Sequence, residues 1–151
     1  MSLDEKLGED LKTSMKAGDT LKTGVLRLLK TRVKEASVAK RDELSDDEII
    51  KIVLSEAKKR KEAIELFEQG GRADLASREK QEIEVLESYL PPKLTDEELK
   101  ALVGAAINEV EAKDPRDLGK VMKVLMPKVT GRSDGSKVSR LVKDLLAGGP
   151  N

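Results

Sequence analysis

The sequence predicts an all-α protein, and three observations predict it. Apolar residues recur at three- and four-residue spacing along nearly the whole length. Capping and helix-stopping residues stand at the ends of those runs. Only Phe67 and Tyr89 are aromatic, so Leu, Ile, Val, Met and Ala must fill the interior, a composition that favours helices. No segment alternates with the period of a strand. The 151 residues, 38% of them hydrophobic, suffice for one ordinary domain or two small ones.

Leu3, Leu7, Leu11 and Met15 recur every fourth position and predict a first amphipathic helix, ended by Ala17-Gly18. Asp19 caps a second, with Leu21, Val25, Leu28, Leu29, Val33 and Ala36 inward and arginines and lysines on the other face. A third begins at Ser45-Asp-Asp-Glu48, a capping box with Leu44 stapled onto Ile49. Its inward line is Ile52, Val53, Ala57, Ile64 and Phe67, and Gly70-Gly71 stops it because glycine adopts the left-handed conformation that closes a helix. A fourth helix, roughly Ala73 to Leu90, carries Leu75, Ile83, Leu86 and Leu90, and Pro91-Pro92 prevents its continuation.

The diproline is the expected boundary, because the capping pattern of the third helix returns directly after it as Leu94-Thr-Asp-Glu-Glu-Leu99. Residues 1–92 are expected to form an N-terminal helical domain of about four helices, and 93–151 a small three-helix tail domain. The fifth helix, running to about Ala112, buries Leu99, Leu102, Val103, Ala106 and Val110. Asp114-Pro115 starts the sixth with a cap followed by proline at the first helical position. Ser136 caps the seventh, whose inward line is Val138, Leu141, Val142 and Leu145, and the glycines after Ala147 read as a frayed tail. Tyr89 is expected between the two domains with its hydroxyl at the rim.

Composition removes whole classes of chemistry. With neither cysteine nor histidine, the chain has no disulfide, thiolate nucleophile or imidazole base, and nearly every kind of zinc site is excluded. The 29 carboxylates form no recognisable acid-base or metal arrangement. No catalytic residue, metal or cofactor is expected, and the sequence leans against an enzyme. It holds neither an apolar run of about 18 residues nor a signal segment, so the expectation is a cytoplasmic protein without membrane contact.

Charge points elsewhere. The 29 basic and 29 acidic residues cancel, yet from Arg116 to Lys143 eight Lys/Arg face two Asp/Glu. Lys120, Lys123, Lys128, Arg132, Lys137, Arg140 and Lys143 form a candidate phosphate-neutralising face, the alternative being solvated helix surface with cations near helix C-termini. Gly131-Arg-Ser-Asp-Gly135 either presents backbone N–H groups to a phosphate or is simply a turn. Lys58-Lys-Arg-Lys61 spreads around its helix among Glu56, Glu62 and Glu65 and reads as solvated surface, and Arg72 with Asp74 as a structural pair.

The run Phe67-Glu-Gln-Gly-Gly-Arg-Ala-Asp-Leu75, then Glu82-Ile-Glu-Val-Leu-Glu-Ser-Tyr-Leu-Pro91 and Glu97-Glu-Leu99, resembles the YqeY-like family over nearly the whole chain. The C-terminal piece, with Gly119, Met126, Gly131, Arg132 and Val138 at the expected spacing, is similar to the tail domain of GatB, the tRNA-holding subunit of the glutamine-dependent tRNA amidotransferase. It departs from that pattern at Lys123, where a glycine is common, and at Pro127, where a basic residue is. The resemblance implies a non-catalytic accessory protein that binds tRNA or structured RNA through the basic face. It also implies a link to an amidotransferase or aminoacyl-tRNA enzyme, and any carbon-nitrogen ligase label belongs to the relatives of the tail. The alternative is a protein-interaction module that docks on a larger enzyme or on a second copy.

Overall fold

The computed structural model describes residues 1–148; the last part of the glycine tail, residues 149–151, lies outside the described residues. Seven α-helices and one short 3-10 turn make up the described chain, with no strand among them, so the all-α expectation holds. The chain divides into two compact units, Met1–Leu90 and the chain from Pro91 onward.

The first unit holds α1 (Leu3–Lys16), α2 (Thr20–Lys40), α3 (Asp46–Gln69) and α4 (Ala73–Glu87). Ser2, Asp19 and Ser45 cap the first three, each side-chain oxygen accepting from the backbone N–H three residues on. Gly18 and Gly71, at φ 71° and 72°, make the left-handed turns that end α1 and α3. Leu7, Val25, Leu26, Leu29, Ile49, Val53 and Leu86 interlock as the core.

One expectation fails here. Met15 is 51% exposed, and the site it was assigned belongs to Ser14, whose hydroxyl meets that of Thr23 at 2.9 Å. A four-residue step turns a helix by 400°, so a strict every-fourth line drifts off one face within three steps. Tyr89 is buried and packs with the core of the first unit. Its hydroxyl donates to Asp10 Oδ2 at 2.6 Å, and Lys6 lies 5.6 Å from its ring centre. Burial and the Asp10 carboxylate both push its phenol pKa upward.

The second unit holds α5 (Asp96–Glu109), the 3-10 turn Pro115–Asp117, α6 (Leu118–Val129) and α7 (Gly135–Leu146). Leu99, Val103, Ala106, Val121, Leu125, Val129, Val138 and Val142 form its core. Thr95 caps α5 as expected. The expected sixth helix opens as the 3-10 turn before becoming α-helical at Leu118, because Asp114 ties the first N–H groups into a tight turn. Asp134 rather than Ser136 caps α7. Its backbone is extended and its carboxylate accepts from Ser136 N at 2.9 Å, which leaves Ser136 already inside the helix.

Candidate nucleic-acid interface

The cations of the second unit fall into three groups. On α6, Lys120 and Lys123 are one turn apart on the side opposite the buried line Val121, Leu125 and Val129. Lys120 has Asp117 at 3.8 Å, and Lys128 has Glu109 at 3.7 Å. On α7, Arg140 and Lys143 point away from Val138, Val142 and Leu146. Lys123, Arg140 and Lys143 are exposed and have no carboxylate within ion-pairing distance among the described residues. These outward faces belong to different helices around one core, so the predicted cations of α6 and those of Arg140 and Lys143 make two basic rows and not a single plane.

Arg132 and Lys137 form the third group, and both hold the unit together. Arg132 Nε donates to the Pro92 carbonyl at 3.1 Å, and its own carbonyl accepts from Leu94 N at 2.8 Å. Its guanidinium also lies 4.0 Å from Glu98. Lys137 pairs with Asp96 in the first turn of α5, and that ammonium holds the Asp96 carboxyl below its ordinary range. The α6–α7 turn thereby fastens the segment that leads into α5. Gly131, at φ 80°, takes the left-handed conformation the turn requires. The N–H groups of Arg132 and Ser133 donate to Val129 O, and that of Ser136 to Asp134, so these donors already have internal acceptors.

Beside Lys137 and Arg140 a shallow groove of about 230 Å³ opens between α5 and α7, lined by Leu99 and Leu141 with Lys100, Asp96 and Asp144. Its charge is mixed. No group of three or more carboxylates that could hold a metal ion is found among the described residues.

Sequence reading missed an ionic cluster in the first unit. Glu56 on α3 is only 4% exposed and takes Arg60 at 3.1 Å, Arg32 of α2 at 3.3 Å and Lys59 at 3.5 Å. Arg60, one of the four residues of the supposed surface run, faces Glu82 at 3.4 Å and Glu79 at 4.0 Å on α4. Burial raises the Glu56 pKa, but the hydrogen bond from Arg60 and the charges of Lys59 and Arg60 outweigh it and hold the carboxyl low. Glu79 goes the other way, lifted by burial and by Glu82 beside it. The available signal was position: Glu56 and Arg60 lie on the inward line with Val53, Ala57 and Ile64. Arg72 and Asp74 do pair, at 3.2 Å, on the surface.

Comparison with known proteins adds a family. The sequence model of the family described as "Yqey-like protein" matches residues 4–146. Among curated proteins, the chain is similar to "Altered inheritance of mitochondria protein 41, mitochondrial" of three fungi. It is 25% identical to that of Pyrenophora tritici-repentis over 93% of this chain and 79% of the relative. It is 30% identical to that of Eremothecium gossypii over 70% of this chain and 60% of the relative. With that of Lachancea thermotolerans the identity is 30% over 72% and 60%. The chain thus spans less than two thirds of the last two. The cytoplasmic expectation is corrected by these names, which describe mitochondrial proteins. No helix among the described residues is long and apolar enough to cross a membrane.

Proposed function

This chain belongs to the Yqey-like protein family, and from that premise we propose that it is a non-catalytic accessory protein whose second unit binds tRNA or another structured RNA. The observation that carries the reading is the set Lys123, Arg140 and Lys143, exposed cations with no carboxylate within ion-pairing distance among the described residues. Cations in that state release counterions from a phosphate backbone when they bind, which makes binding favourable and strongly salt-dependent. Recognition is by backbone and shape, because a chain with two aromatic residues, one of them the buried Tyr89, has no platform for stacking unpaired bases. The similarity of the C-terminal sequence to the GatB tail supports tRNA as the RNA and an amidotransferase or aminoacyl-tRNA enzyme as its setting.

The test is a titration into bulk tRNA at several salt concentrations, with duplex DNA as competitor. The wild type should prefer tRNA, and the triple variant Lys123→Glu, Arg140→Glu, Lys143→Glu should lose most of the affinity while melting at the same temperature. Equal affinity for tRNA and duplex DNA, or an unaffected variant, rejects the reading. Arg132 is left out of the variant because it fastens the chain before α5. The protein-docking alternative gains no specific observation: Met15, Val38 and Leu66 are exposed singly, each on a different helix.

A further inference from the structure

We propose that the outward face of α2, in the first unit, is a second contact for the phosphate backbone of structured RNA. From Thr20 to Arg41 the chain carries seven Lys/Arg against one acid, Glu35. The structure sorts these cations. Lys30 pairs with Asp4, Arg32 with Glu35 and Glu56, and Lys40 with Glu48. Arg27, Lys34 and Arg41 have no carboxylate within ion-pairing distance among the described residues and are exposed. Arg27 and Lys34 stand seven residues apart within α2, so on a helix of 3.6 residues per turn they share one face, about 10 Å apart, while Arg41, at φ 62°, is the left-handed residue that ends the helix. Gly24, Thr31 and Val38 lie on the same face, all exposed and none acidic.

Gly24 is an independent observation on the same ridge. A glycine inside a helix costs about 1 kcal/mol relative to alanine. Here a Cβ would meet nothing within 4 Å, so no packing inside this chain asks for its absence. A bare backbone on an exposed ridge lets a partner's surface approach closely.

The occupant follows from charge and from what the helix lacks. The unpaired guanidinium of Arg27 and ammonium of Lys34 on one helix face, with the Arg41 guanidinium at the helix end, complement an anionic polymer. A helix lying in an anionic membrane needs an apolar face to insert, whereas Val25, Leu26, Leu29 and Val33 of α2 are buried in the core, and Val38 is the one large apolar side chain exposed on it. Glu5 and Glu43 line the neighbouring groove with Lys34, so the attraction is confined to the ridge itself. This surface shares its partner class with the second unit but none of its residues.

The test uses the full chain and a fluorescently labelled tRNA, with anisotropy read across a salt series. Arg27→Glu with Lys34→Glu should weaken binding about tenfold and reduce the salt slope by about two, with an unchanged helical melting curve. Arg27→Gln with Lys34→Gln should show a smaller loss in the same direction. Unchanged affinity in both pairs, while the Lys123, Arg140 and Lys143 variant fails, overturns the α2 surface and leaves the second-unit reading standing. The reverse pattern supports α2 and rejects the other. Wild-type protein that binds no tRNA overturns both. Sedimentation with phosphatidylserine vesicles in place of tRNA binding, or equal competition by polyglutamate, overturns RNA as the occupant.

Discussion

Glu56 combines burial with three cationic neighbours on two helices. Replacing it by glutamine keeps its size and removes the charge that those cations face, so Glu56→Gln should destabilise the first unit by about 3 kcal/mol at neutral pH. Its folded pKa is depressed, so its contribution is present above the ordinary glutamate range and is lost as pH falls through the folded value. Urea denaturation should therefore show a wide gap between wild type and variant at pH 7 that narrows on acidification. Glu79 has the opposite sign. Its raised folded pKa means that ionising it costs stability as pH rises through that value, so Glu79→Gln should be neutral or stabilising at pH 7 in the same experiment. Loss of stability there would show that its charge supports Arg60 more than Glu82 opposes it. These roles were hidden because charge type suggests surface, while helical position decides which way Glu56 and Arg60 point.

At the scale of elements, caps and stops were legible because they depend on a few consecutive residues. Ser45 and Thr95 satisfy N–H groups that the helix leaves without partners. Thr95→Ala should cost the second unit about 1 kcal/mol, measurable as a lower thermal midpoint. Gly24→Ala should have the opposite effect, stabilising by about 1 kcal/mol, because α2 has room for the methyl group. A destabilised variant would mean that α2 needs glycine for its own packing. The inward line of α2 was nearly complete, since buried Val25, Leu29 and Val33 repeat at helical spacing. Leu26, fully buried, was passed over, because a neighbour can be buried when two elements flank the helix. Asp134 and Ser136 are both of residue types that cap well. Only backbone conformation separates them.

For the whole molecule, equal numbers of acids and bases mean that no general field attracts RNA; attraction has to come from local rows. On the proposed function, raising salt from about 50 to 200 mM should lower tRNA affinity by orders of magnitude, as filter binding or anisotropy would record. A salt-insensitive complex would point to a protein-like interface instead. The fold class, the helices and the basic excess of the C-terminal region were determined by the sequence itself, because periodicity, capping and charge are local properties of the chain. Tertiary structure alone decided which cations remain unneutralised. Arg132 and Lys137 are tied to residues about forty positions away, Arg60 to Glu79 and Glu82 on the next helix, while Lys123, Arg140 and Lys143 have no ion-pair partner among the described residues. Charge pairing depends on which helices lie side by side, and packing of apolar faces fixes that only when the chain folds.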